Sequence, residues 1–118
     1  MEPTQPTNLT INYDDFAKLD LRVATVIECK PHTKGDKLLI LLIELAGGER
    51  RQLLAGLRQH YQPEQLIGKQ IIVVANLAPR EIMGEISNGM LLAATDTLSG
   101  KVIFVSPSEM VGPGSQVR

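Results

Sequence analysis

Asn76, Arg80, Ser87 and Asn88 set amide, guanidinium and hydroxyl groups along one connection between two apolar runs, Gln70 to Ala75 and Met90 to Thr95. Pro79 argues against a central strand here, and Gly84 and Gly89 permit positive φ. Polar groups on a loop between two buried strands stand at the rim of a rigid scaffold, where binding residues concentrate. An ordinary long hairpin connection has the same spacing, so the spacing alone leaves both readings open. A second polar cluster is the turn Pro31 to Asp36, with Lys30, Lys34 and Lys37 around it.

Catalytic constellations do not emerge. His32 and His60 each fall in a polar, turn-like segment and read as surface histidines. No Gly-x-Ser-x-Gly elbow surrounds Ser87, Ser99, Ser106, Ser108 or Ser115. Gly84 and Gly89 are spaced as in a phosphate loop, but Met90 follows in place of the Lys and Ser/Thr that would hold phosphate and magnesium. Cys29 is the single cysteine, so an intramolecular disulfide and a cysteine-based zinc site are excluded, and its apolar-alternating run reads as a buried, inert thiol. The expectation is a binding module, not an enzyme, with no metal and no cofactor.

The chain has 118 residues, the length of one domain, with 43% hydrophobic and 21% charged residues. No apolar run reaches the length of a membrane span and no signal-peptide pattern opens the chain, which predicts a cytoplasmic setting. The net charge of −1 is unhelpful to polyanion binding, but the charge is unevenly spread. Residues 22–58 hold seven basic side chains against four acidic ones, whereas both flanking segments are net acidic.

Residues 1–10, with Pro3, Pro6 and no apolar periodicity, read as a flexible leader. Asn12 followed by Tyr13-Asp14-Asp15-Phe16 reads as a short helix with an N-cap and acids in its first turn. Leu21 to Cys29 alternates as a strand, with Leu21, Val23, Thr25, Ile27 and Cys29 on one face. The apolar run Leu38 to Ala46 and the segment Arg50 to Ala55 are two strands joined by a hairpin at Gly47-Gly48. A loop with a short helix from Pro63 follows, then strands at Gln70 to Ala75 and Met90 to Thr95, a short strand at Val102 to Val105, and a Pro/Gly/Ser-rich tail from Ser106. Five closely spaced strands with a helical insertion between the third and fourth fit a mainly β, five-stranded OB-fold barrel, although another small barrel or an α+β sheet would share the pattern.

Ala75-Asn76-Leu77-Ala78-Pro79-Arg80 and Ser87-Asn88-Gly89-Met90-Leu91-Leu92-Ala93-Ala94, with Asp15 to Val23, Gly35-Asp36-Lys37-Leu38-Leu39 and Ala55-Gly56-Leu57 upstream, resemble one known family. It is the tRNA-binding domain found at the C-terminus of bacterial methionyl-tRNA synthetases and in stand-alone dimeric tRNA-binding proteins. The resemblance covers roughly residues 11–118 and implies an OB fold with a C-terminal extension. It implies tRNA bound by overall shape, with Lys30, Lys34, Lys37 and Arg80 on phosphates, Asn76 and Ser87 bonding to phosphate or ribose, and Met90 packing on a sugar or base. Shape-directed binding also suits the composition. Tyr13, Phe16, Tyr61 and Phe104 are the only aromatic residues, and Phe16 and Phe104 lie in apolar patterns expected to belong to the core, which leaves few stacking platforms.

The resemblance further implies a homodimer whose contact uses Val102, Ile103, Phe104, Val105, Met110 and Val111 in the segment from about residue 102 onward. The implied partners are tRNA, a second copy and, if the chain is one end of a synthetase, its catalytic body. Ile40 and Leu42 are expected to face outward where relatives carry polar residues. That departure supports a second reading, the related export chaperone of the same fold, which binds unfolded polypeptide.

Overall fold

With Leu39, Leu41, Ile43 and Leu45 on one side, the run beginning at Leu38 has the period-two pattern of a strand lining a core. In the computed structural model, which describes residues 9–118, all four are buried in one apolar cluster. The elements in order are α1 (Tyr13–Ala17), β1 (Leu21–Pro31), β2 (Leu39–Glu44), β3 (Arg50–Ala55), β4 (Gln70–Val74), β5 (Arg80–Ile82), β6 (Glu85–Ser87), β7 (Met90–Leu91), β8 (Ala93–Thr95), β9 (Val102–Phe104) and β10 (Gln116–Val117). Short 3-10 turns occupy Ala46–Gly48 and Pro63–Gln65. The segment read as a leader falls largely outside the described residues.

The principal sheet is antiparallel and six-stranded, in the order β3-β2-β1-β4-β7, with β10 also on β1. One long strand organises it. The first half of β1 pairs with β4, Leu21 opposite Val74 through Thr25 opposite Gln70, and its second half pairs with β2 from Thr25 to Pro31. A bulge between Val26 and Glu28 bends the strand where it changes partners, which curls the sheet as an OB barrel requires.

The bulge also corrects the faces of β1. Ala24, Val26 and Cys29 meet the main core, together with Leu53, Leu57, Leu66, Ile71 and Val73. Leu21 and Val23 lie on the opposite side, in a second cluster with Ile72 and Val74 that Leu92 and Val117 cover. A strict period of two puts Cys29 with Leu21 and Val23; the extra residue at the bulge moves it across the sheet.

Strand β3 and the helical turn at Pro63 fall where expected, and α1 follows the N-cap Asn12, whose backbone N–H donates to Asp15 Oδ2 at 3.3 Å. Three expectations change. The fifth strand splits at Leu92, β7 pairing with β4 and β8 with β9. The tail contributes β10, whose Val117 pairs with Leu21. Phe16 belongs to neither core cluster; α1 buries no residue, and its Phe16 and Tyr13 rings are 6.4 Å apart on an exposed face. Among the described residues no helix is long and apolar enough to cross a membrane, and no group of three His, Cys, Asp or Glu could hold a metal ion.

Candidate nucleic-acid interface

The connection between β4 and β7 is a structured hairpin, with β5 and β6 paired from Arg80 opposite Ser87 to Ile82 opposite Glu85. Its two-residue turn, Met83-Gly84, has φ of 51° and 88°, the twist that joins right-handed strands. Sequence reading misses it because this turn usually carries Asn-Gly or Asp-Gly. Alternation along β5 places Arg80 and Ile82 on one face and Glu81 on the other, so the acid beside Arg80 in sequence points away from it.

Ser87 closes the barrel. It is 4% exposed; its Oγ accepts the Leu54 N–H at 3.0 Å and lies 3.0 Å from the Gly89 carbonyl oxygen, to which it donates. The Asn88 N–H donates to the Gln52 carbonyl at 2.9 Å. Gln52 Nε2 in turn donates to the Ile86 carbonyl at 2.9 Å and to Glu85 Oε1 at 3.2 Å. The hairpin is therefore fixed to β3 by the Ser87 and Gln52 side chains and one backbone bond where a ladder would otherwise run. Asn76 has a comparable duty: its Oδ1 accepts the Asp20 N–H at 2.9 Å and its Nδ2 donates to the Lys18 carbonyl at 2.7 Å, clamping the end of β4 to the chain leaving α1. Both polar residues are engaged within the chain.

Arg80, Ser87 and Met90 come together around a cleft of about 430 Å³ lined also by Leu54, Leu77, Ala78, Pro79, Ile82 and Gly89. Arg80 is its single charged lining residue, and Met90, at the start of β7, is 47% exposed. A second hollow of about 270 Å³ shares Leu54, Arg80, Ile82 and Met90 and continues to Leu38, Gly56 and Val102. Arg80 thus lines both hollows. Leu54, Leu77, Ala78 and Pro79 escape sequence reading because apolar loop residues carry no hydrogen-bonding signature.

The basic turn after β1 is built from within. His32 is a buried residue, 2% exposed, which corrects its reading as a surface histidine. Its Nδ1 accepts the N–H groups of Lys34 and Gly35, both at 2.9 Å. That acceptor role places the neutral imidazole's proton on Nε2, which is buried without a partner. Arg58 Nη1 donates to the carbonyls of His32 and Gly35 at 3.2 and 3.3 Å. Lys30, Lys34 and Lys37 remain exposed on this frame. Among the described residues none of these lysines, nor Arg80, enters an ion pair.

The other basic residues of the central segment divide differently. Arg22 pairs with Asp20 at 2.7 Å and donates to the Gly114 carbonyl at 3.1 Å; Arg51 pairs with Glu49 at 2.8 Å and donates to the Ala75 carbonyl. With Arg58 they serve the fold. Of the basic residues in segment 22–58 the three lysines and Arg50 are exposed, as is Arg80 on the hairpin.

The implied dimer segment also divides. Val102 and Phe104 pack on the main core, Phe104 beside Tyr61 at a ring-centroid distance of 5.3 Å, so these two side chains serve their own barrel. Ile103, Val105, Met110 and Val111 are exposed. Gln70 holds Val111 through two backbone bonds, its Nε2 to the carbonyl at 2.6 Å and the Val111 N–H to its Oε1 at 3.0 Å. Ile40, on the outer face of β2, is 6% exposed and Leu42 is half-buried; both line a small hollow with Glu28, Cys29, Lys30 and Gln52. Ile40 is thus outward-facing but covered, not open to solvent.

Residues 21–116 match the family model described as "Putative tRNA binding domain". The chain belongs to this family. It is 49% identical over 113 residues to the methionine–tRNA ligase of Clostridium perfringens, covering 96% of this chain and 17% of that protein. The ligase of Pyrococcus abyssi is 44% identical over 117 residues, covering 99% of this chain and 16% of the ligase. The chain therefore spans about a sixth of the length of these curated relatives. Among solved structures, a methionyl-tRNA-synthetase-related protein from Pyrococcus horikoshii superimposes with a TM-score of 0.85 at 33% identity, covering 93% of this chain and 99% of the other. The CsaA chaperone from Bacillus anthracis superimposes with a TM-score of 0.83 at 28% identity, covering 93% and 100%. The family match, over residues 21–116, reaches every strand of the principal sheet.

Proposed function

We propose that this chain binds tRNA by overall shape, as a homodimer and without catalysis, in the manner of the C-terminal domain of methionyl-tRNA synthetases. The reading rests on one observation above the others. The exposed lysines on the basic turn and Arg80 on the β5–β6 hairpin are carried on two connections that touch, because Met83 at the hairpin tip reaches Gly35 in the basic turn. Fixed cations suit folded RNA, whose phosphates have a defined spacing.

In this reading Lys30, Lys34, Lys37 and Arg80 meet phosphates and Met90 meets a sugar or base. Asn76 and Ser87 act chiefly by holding the loop that presents them. The domain spans residues 11–118, works in the cytoplasm, and adds tRNA affinity to a synthetase body when joined to one. The exposed Ile103, Val105, Met110 and Val111 supply the dimer contact. A second reading, polypeptide binding as in a CsaA chaperone, draws on the apolar cleft beside Arg80.

A salt titration decides between them. Folded tRNA and an unstructured RNA of equal length are compared, with an unfolded polypeptide as competitor. Preference for folded tRNA, falling steeply as salt rises, is the expected result. Salt-insensitive binding that an unfolded polypeptide displaces would overturn it.

A further inference from the structure

The cleft beside Arg80 is a built feature that phosphate contacts leave unexplained. Its apolar lining comes from Leu54 on β3, the loop Leu77 to Pro79, Ile82 and Met90. Its shape is held by the Ser87 bonds to Leu54 and Gly89, so the hollow persists without a ligand to order it. A volume of about 430 Å³ falls within the range of small-molecule sites. A duplex cannot enter such a space; one unstacked base with its ribose can.

Resting on the tRNA-binding reading, we propose that this cleft receives a single unstacked base of a loop in the folded RNA. The base ring lies between Leu54 and Ile82 on one side and the thioether of Met90 on the other, and Arg80 takes its phosphate. Three observations favour a nucleotide over an apolar peptide side chain. Arg80 is the sole charged lining residue, and its exposed guanidinium stands where a nucleotide's phosphate, which an aliphatic occupant lacks, would meet it. A thioether and a guanidinium both pack on flat π systems, and every base has a π face. The chain also lacks a free aromatic platform beside the site, since Tyr61 is occupied by Phe104 and by Lys101, whose Nζ stands 5.5 Å from the ring centroid. An apolar slot is the alternative means of holding a base out of its stack.

The test uses the full chain, with adenosine 5′-monophosphate as the probe. In methyl-resolved NMR at millimolar nucleotide, the expected shifts are saturable and confined to Leu54, Leu77, Ile82 and Met90. Ala78→Leu, on an exposed loop, fills the cleft while leaving every cation in place. It is expected to abolish those shifts and weaken tRNA binding about fivefold or more, with the salt dependence unchanged. Arg80→Gln instead lowers the salt dependence. Absence of the methyl shifts with nucleotide, or full-strength tRNA binding by Ala78→Leu in a parent that binds tRNA, overturns the base cleft and leaves the phosphate reading standing. Shifts given by a short apolar peptide and not by the nucleotide overturn it in favour of a polypeptide occupant. A parent that does not bind tRNA overturns both.

Discussion

The sulfur of Met83 lies against Gly35 so closely that a Cβ at that glycine would stand 3.2 Å from it, and 2.7 Å from Leu38 Cδ1. Met83 reaches this position from φ of 51°, a conformation uncommon for any residue but glycine or asparagine. The contact joins the basic turn to the hairpin that carries Arg80. Two connections far apart in sequence become one surface through a side chain that alternation and charge patterns ignore.

Gly35→Ala therefore perturbs both connections at once. Its methyl must displace Leu38 or Met83, and overpacking of this kind costs about 1–3 kcal/mol. The expected outcome is a lower urea midpoint together with weaker tRNA binding. Parent-like binding in this variant would show that the joint between turn and hairpin does not matter to RNA.

Ser87→Ala separates latch from contact. Loss of the hydroxyl leaves the buried Leu54 N–H without its acceptor, a cost of about 1–3 kcal/mol. The urea midpoint should fall with the slope of the transition unchanged. A stability within error of the parent would return Ser87 to the list of RNA contacts.

Much of this architecture was legible in the pattern of apolar residues. Leu39, Leu41, Ile43 and Leu45 lie inward as alternation requires, and β3 begins and ends where the hairpin glycines and Gly56 place it. Features that depend on backbone irregularity were not legible. The bulge after Val26 transfers Cys29 to the other face, and the Met83-Gly84 turn lacks the asparagine that signals such a hairpin. The site was half legible for a related reason. Residue type marks Asn76, Ser87 and Arg51 as polar or basic, but type cannot say that their hydrogen bonds are already made within the chain. His32 shows the converse, a polar residue in a polar segment that serves as the internal support of a turn.

Lys37→Ala and Arg80→Ala are each expected to weaken tRNA binding and reduce the salt slope by about one, with little effect on folding. Arg51→Ala should do the opposite, lowering stability while leaving the slope nearly unchanged, because its guanidinium is committed to Glu49 and Ala75. Equal slopes in all three variants would place the RNA elsewhere on the molecule.

Partial burial, with Glu64 a smaller contributor, pushes the Cys29 thiol up from 9.0 to about 11. Thiolate is therefore scarce at neutral pH, and alkylation by iodoacetamide should be slow there and accelerate toward pH 11. The sign for stability follows. The unfolded thiol ionises first, so this contribution to folding is intact below about pH 9 and is lost as pH rises toward about 11. Rapid alkylation of the folded chain at pH 7 would contradict this picture.

Assembly supplies the last prediction. Lys30, Lys34, Lys37, Arg50 and Arg80 on a chain of net charge −1 offer one barrel a weak hold on a polyanion, whereas a two-fold pair presents two such surfaces at a fixed spacing and gains avidity from their coupling. Deletion from Pro107 is a poor test of this, because it removes β10, the Val117 cover over Leu21 and Val23, and the Gln70 bonds to Val111. It also removes Gly114, which approaches the Ala46 backbone so closely at φ of 87° that no side chain fits. Point substitutions at exposed positions avoid that damage. Val105→Asp combined with Met110→Asp changes two solvent-facing side chains, each expected to move stability by no more than about 0.5 kcal/mol. If these residues form the contact, the double variant sediments as a monomer at micromolar concentration and loses about tenfold or more in tRNA affinity, with its urea midpoint close to the parent's. A double variant that remains dimeric places the contact elsewhere, and a folded monomer that binds tRNA at full strength shows that one barrel suffices.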